Sequence, residues 1–284
     1  MAEALHVANG HCTTRLIEAA GLPGRTSIWA DALYDGPVPD VSDEQLIRIR
    51  AEFIADGLDV SADEVEADLK QWRVVIDQDY RYDELVLWFE HDLFDQLNLI
   101  QLLTRVGRDR PIRKPVTLVS IDRYPGYPHF KGLGQLSPGD ITQLFNARRR
   151  VTPQQFALAA TAWDAFRSGS RSRIEAVLQG ETSALPFLAA ALRRHLDEAP
   201  REPGGLTRSE RRLIEQLQRG PVDIHAAFAG MHEGETAYYI TDLSFWTLVK
   251  GLADRSPALI DVTVTRSPAS EGPALPSGTL SLRQ

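Results

Sequence analysis

Four short, almost wholly apolar runs punctuate the first half of this chain: "LHVA" (5–8), "SIWA" (27–30), "LVLWF" (85–89) and "VTLVSI" (116–121). Runs of this length without polar alternation are what a parallel sheet buried on both faces requires. Helix-forming stretches lie between them. "SDEQLIRIRAEFIADG" opens on Ser42 as N-cap with Gln45 three residues on, sets Leu46, Ile49 and Phe53 on one stripe, and is expected to stop at Gly57. "SADEVEADLKQW" repeats the capping pattern with Ser61 and Glu64. This alternation predicts an α/β domain over residues 1–150, built on a doubly wound, mostly parallel sheet.

Beyond Ser137 the pattern turns helical. "TPQQFALAATAWDAF" has Thr152 as cap, Pro153 at the first helical position and Gln155 closing the box. "LPFLAAALRRHL" sets Leu185, Leu188, Leu192 and Leu196 on one stripe, so 151–203 reads as a helical extension. "DEAPREPGGL" (197–206) has the Pro, Gly and charge content of a linker. From 204 to 266, "LTRSERRLIEQLQRGP", "VDIHAAFAGM" and "TDLSFWTLVKGLADRS" precede the β-like "ALIDVTVT", which predicts a small winged-helix-like unit. The tail 267–284 is too poor in apolar residues to order itself and is expected to be disordered.

Composition limits the function classes. The 284 residues carry a net charge of −8 and 43% hydrophobic content, and no apolar run reaches the length of a membrane span. "MAEALHVANG" lacks the basic start and apolar core of a signal peptide, so a cytoplasmic protein is expected. The single cysteine, Cys12, excludes an internal disulfide and a cysteine-built zinc cage. Between 206 and 266, seven basic residues face eight acidic ones, so nucleic acid is not an expected partner and a protein partner for the C-terminal unit is.

In a parallel α/β sheet, ligands sit beyond the carboxyl ends of the strands. The first run leaves Asn9, Gly10, His11 and Thr13 there, the second Asp31, the third Glu90, His91 and Asp92, and the fourth Asp122 and Arg123. Gly10 before a helix start suggests a loop that takes an anion on unpaired backbone N–H groups. Asp31 lies about 20 residues on, where dinucleotide-binding folds keep a hydroxyl-reading acid, although only one fingerprint glycine is present. Glu90 and His91 suit a general acid/base pair, with Asp122 a further catalytic candidate, or the cluster is a hard-metal site of carboxylates and imidazole; the alternative is that Asp92 caps the helix "LFDQLNLIQLL" while Glu90 and His91 are partly solvated. Asp95 and Gln96 follow one helical turn later. Arg123 would act as a charge clamp.

Cys12, at a helix start, is a nucleophile candidate or an inert thiol. "RVGRDRPIRK" (105–114) and "ARRR" (147–150) are either phosphate contacts or solvated surface. "YPGYPHFKGLGQL" (124–136) is placed to close over the carboxyl edge, with His129, Lys131 and Gln135 in reach of a ligand. The expectation is a small anionic or phosphorylated ligand, handled by a transferase or hydrolase; the alternative is a ligand-sensing regulator acting through its C-terminal unit.

Together "LHVANG", the run "WADALYDGP" (Trp29, Asp31, Leu33, Gly36, Pro37), "VLWFEHDLFDQLNL", and "GLGQL" with "LFNARRRVT" resemble a bacterial family known as domain of unknown function 1835 (DUF1835). The resemblance covers about residues 1–150, and the C-terminal segment resembles the helical domain that accompanies that family. An Asp commonly follows the Asn-Gly of the family, where this chain has His11. The resemblance implies the domain plan and carries over no activity, substrate or catalytic residue.

Overall fold

The computed structural model describes residues 3–58, 60–266 and 275–283. The chain divides into two units, Met1–Arg193 and Arg194–Gln284. In the first, β1 (Ala4–Ala8), β2 (Gly24–Ile28), β3 (Glu84–Trp88) and β4 (Val116–Val119) are parallel and stand in the order β2-β1-β3-β4; the short β5 (Arg149–Arg150) adds antiparallel to β4. The helices are α1 (His11–Ala19), α2 (Asp43–Leu58), α3 (Ala62–Asp77), α4 (Leu93–Thr104), α5 (Pro138–Ala147), α6 (Pro153–Arg167), α7 (Arg171–Gln179) and α8 (Leu188–Glu198), the division falling within α8. The fold is therefore α/β with a mostly parallel sheet, as the apolar runs imply.

Strand parity explains the two-sided burial. Ala4, Ala8, Val86, Trp88 and Val119 share a core with Ile17 of α1, Ile141 of α5 and the loop residues Phe130, Leu133 and Leu136. The alternate residues Leu5, Val7, Leu85 and Leu87 are equally buried and face the other side. Of α4, every residue but Phe94 is buried, which accounts for the near absence of a polar stripe in "LFDQLNLIQLLT".

Three local expectations are corrected. The second strand is Gly24–Ile28 rather than 27–30, and it is half exposed, because it is the sheet edge and packs on one side only. α2 continues through Gly57, and its buried stripe is Leu46, Ile47, Arg50 and Ala51, with Ile49 and Phe53 half-buried; a buried arginine sits where a helical face would ordinarily be apolar. Ser61 precedes α3 without a side-chain cap bond, whereas Ser42 with Gln45 and Thr152 with Gln155 form their boxes.

The second unit contains α9 (Arg208–Leu217), β6 (Val222–Asp223), α10 (Ile224–Met231), α11 (Asp242–Ala253), β7 (Ile260–Arg266) and β8 (Ser277–Leu282). Its antiparallel sheet has the order β6-β8-β7, so the last strand lies in the middle and the arrangement is winged-helix-like. The expectation of a wholly disordered tail is thereby overturned for 275–283, while 267–274 lies outside the described residues. A six-residue strand needs no core of its own when both neighbours supply hydrogen bonds: β8 pairs with β6 and β7 and buries Leu280, and Leu275 is buried just before it. Among the described residues no helix is long and apolar enough to cross a membrane.

Candidate functional site

The ladders of the parallel strands end together, with Ala8 paired to Ile28 and Trp88, and Trp88 to Val119. Asn9, Asp31, Glu90 and Asp122 consequently leave the sheet at one edge. The strand order reverses between β1 and β3, and a sheet of this kind has its crevice at that reversal. Asn9 and Glu90 follow these two strands and meet there.

Asn9 Nδ2 donates to Glu90 Oε2 at 2.9 Å and to Asp95 Oδ2 at 2.8 Å. Thr13 Oγ1 donates to Asn9 Oδ1 at 3.5 Å, which holds the amide nitrogen toward the acids. Asp95 Oδ1 accepts the Glu90 main-chain N–H at 2.6 Å, and Gln96 Nε2 donates to the Glu90 carbonyl at 2.6 Å. Asp92 accepts the Asp95 N–H at 2.9 Å as the N-cap of α4. From the loop that follows β4, the Leu133 N–H donates to Glu90 Oε1. Gly132 makes that approach feasible, since a Cβ there would stand 2.8 Å from Glu90 Oε1.

Glu90, Asp92 and Asp95 are each at most 6% exposed. Burial, reinforced by the Asp92 charge, pushes the Glu90 carboxyl up to about 7, against the pull of the Leu133, Asp95 and Asn9 hydrogen bonds. Burial likewise raises Asp92 and Asp95 well above the ordinary range, aided by the charge of Asp95 on the first and of Glu90 on the second. The donors that reach Glu90 and Asp95 are neutral, namely the Asn9 amide, backbone N–H groups and a neighbouring carboxyl group, and such donors stabilise a carboxylate less than a cation does. Of the three, Glu90 is the one brought to about 7, where it can give up or take a proton near neutral pH.

The other sequence-indicated residues are placed differently. Asp31 carries its carboxylate into a buried, two-pronged ion pair with Arg50, whose Nη2 lies 2.7 Å from Oδ1. Asn98 of α4 clasps the Asp31 main chain on both sides, and Arg50 also donates to the Asp35 and Ala32 carbonyls. Gly36, with φ of +71°, sits so close to the Phe53 ring that any side chain would collide with it. The "WADALYDGP" segment is thus wrapped around Arg50, and the Asp31 carboxylate is committed to it. His91 is buried, and burial lowers its pKa although Asp122 and the Ile121 backbone oppose the shift. Asp122 is held below the usual carboxylate range by its bond to Arg123, whose side chain is 86% exposed.

At the start of α1, Gly10 has φ of 164°, extended backbone open to any residue, and a Cβ at this position would meet nothing within 4 Å; the special conformational role expected of this glycine is not there. The helix still opens without a side-chain cap and without an acid in its first turn. His11 and Cys12 are exposed and Thr13 is buried. In the loop, His129, Lys131 and Gln135 are all exposed, and Gln135 spends its side-chain oxygen on the Lys131 N–H at 2.6 Å.

Arg50, Asn98 and the main chain of Gly132 and Leu133 escape a residue-by-residue reading of strand ends. Of these only Arg50 carries a signal, as a charge one helical turn after Leu46 on the apolar stripe. Among the described residues no group of three or more His, Cys, Asp or Glu side chains is arranged to hold a metal ion, since the acids spend their oxygens on N–H donors. No protein-family model matches the chain, and no curated protein does.

The pH dependence of stability follows from Glu90. Its folded pKa of about 7 exceeds the ordinary 4.5, so the unfolded chain sheds this proton first, and the folded state loses stability as pH rises from 4.5 through 7. The loss from this group is about 3 kcal/mol, at roughly 1.4 kcal/mol per pKa unit. His91, with its lowered pKa, acts in the opposite sense, so the informative quantity is a difference between proteins. Urea unfolding across this range is expected to show a shallower fall for Glu90→Gln than for wild type; parallel curves would show that Glu90 titrates normally.

Proposed function

We propose that this chain binds a small anionic molecule at the crevice between β1 and β3 and exchanges a proton with it through Glu90. The observation that carries the reading is the meeting of Asn9 and Glu90 at the sheet's reversal point, with the acid buried and poised near neutrality. A carboxyl group of that kind serves as general acid to a leaving group or as general base to a nucleophile, the needs of a transferase or hydrolase. The uncapped N-terminus of α1, which begins two residues after Asn9, offers backbone N–H groups to the ligand's negative charge. Asn9, Gly10, His11 and Thr13 belong to this binding part; Glu90, with His91 and Asp122 beside it, belongs to the chemical part. Asp31 supports the edge through Arg50, and Arg123, exposed and bound to Asp122, is left outside the site.

The likeness to the DUF1835 family is part of the same proposal: "LHVANG" contributes Asn9 and "VLWFEHDLFDQLNL" contributes Glu90 and Asp95. A thermal-shift series with nucleotides and sugar phosphates tests it. At least one compound is expected to raise the wild-type Tm, and the shift is expected to vanish in Glu90→Gln. No shift for any compound, or an unchanged shift in the variant, would refute the reading.

A second reading, a ligand-sensing regulator with a protein partner, is favoured by the winged-helix-like order of the C-terminal unit. α11, in the position of a recognition helix, has only Asp242 and Lys250 as charged residues. Arg208, Arg212 and Arg255 are engaged by Glu235, the Gly230 carbonyl and Glu210. Such a surface is poor in free cations for phosphates. Mobility-shift titrations of the full chain at several salt concentrations are expected to show no sequence-selective DNA binding; salt-sensitive, selective binding would make DNA the partner.

A further inference from the structure

The basic run 105–114 is drawn into a cavity of about 270 Å³ on the far end of α4, away from Glu90 in the sequence and in its lining. Arg105, Arg108, Arg110 and Arg167 contribute four guanidinium groups to its wall, against two carboxylates, Asp43 and Asp109. Trp29 and Trp163 supply its aromatic surface.

The wall is fixed by packing. After Thr104 the helix widens into a single π-turn, Arg105–Asp109, an uncommon geometry that recurs at functional sites. Gly107 lets α6 close on this turn, because a Cβ there would lie 2.5 Å from the Phe156 ring. Arg105 is only 10% exposed and is oriented by Asp77 and Asp43 at 2.6 and 2.7 Å. Arg167, 11% exposed, bonds to Asp40 and the Val41 carbonyl, yet its Nε–H is buried with no hydrogen-bond partner among the described residues. An unsatisfied buried donor is costly unless something else satisfies it. Arg108 is held by Asp164 and Asp109, and the exposed Arg110 has no guanidinium partner among the described residues.

We propose that this cavity is a second ligand site, for a small phosphate-bearing molecule. Arg105 is paired with Asp77 and Asp43, Arg108 with Asp164 and Asp109, and Arg167 with Asp40, so the guanidinium left open to a phosphate is that of Arg110, and guanidinium forks are the side chains best suited to phosphate oxygens. The volume, just below the roughly 300–1,000 Å³ of ligand pockets, accommodates the phosphate with at most a small organic body. The Arg110 guanidinium, at an exposed position in the cavity wall, is the donor left for it. This site is independent of the one assigned to Glu90.

Isothermal titration of the full-length chain with inorganic phosphate and pyrophosphate, against chloride at equal ionic strength, tests the proposal. Saturable binding is expected, weakened about tenfold or more in Arg110→Ala, as befits loss of a charge-assisted bond, and unchanged in Glu90→Gln. Arg108→Ala, also at an exposed position, is expected to weaken it similarly. Two results would overturn the proposal: no saturable binding beyond the chloride control, or binding that survives both arginine variants. Binding abolished by Glu90→Gln alone would likewise overturn it and would place the phosphate at the carboxyl edge instead.

Discussion

Three carboxyl groups closed off from water at the junction of β3 and α4 set the terms for the rest of the N-terminal unit. Glu90, Asp92 and Asp95 follow one another closely along the chain, and the hydrogen bonds that reach them come from Asn9, from Leu133 and from the start of α4 itself. Each of these bonds ties a different element to β3. Asn9 brings in β1 and, through Thr13, the first turn of α1; Leu133 brings in the loop after β4; Asp92 starts α4. Because the donors are neutral, desolvation prevails and all three carboxyls are shifted upward. The stability of this edge and the reactivity proposed for it thus rest on one arrangement.

A few residues away the same problem has the opposite solution. Asp31 is equally buried, but Arg50 reaches it with two nitrogens and takes up neighbouring carbonyls with the remainder. Ion pairs of this kind are rigid, and breaking one by removing a partner leaves a buried charge. The edge therefore combines a fixed ion pair beside β2 with a proton-bearing cluster between β1 and β3. The proposed function rests on the second, where burial brings the Glu90 carboxyl up to about 7.

Much of this is legible in the sequence where burial is two-sided. β1, β3 and β4 appear as unbroken apolar runs, and the strand-end rule then leads directly to Asn9, Glu90 and Asp122. β2 escapes that reading because an edge strand, "GRTSI", has one solvated face and no apolar signature, while the apolar "WA" just beyond it lies in the following loop, where Trp29 is buried. β8 is hidden by glycine, serine and proline around two leucines, since its order comes from partners distant in the chain. Arg50 looks like a surface charge until its acceptors, carbonyls of a loop some fifteen residues away, are in place. The Leu133 N–H belongs to the backbone and has no residue-type signature at all.

An exchangeable proton on Glu90 near neutral pH is what the functional reading requires, and the most direct measurement of it is a titration of the Glu90 side-chain carboxyl carbon by NMR in the full-length protein. The expected midpoint lies near 7, and Asp92→Asn, which keeps a capping side chain on α4 but removes the charge that raises Glu90, is expected to shift it downward. A midpoint at the ordinary value of 4.5, unmoved by Asp92→Asn, would contradict it.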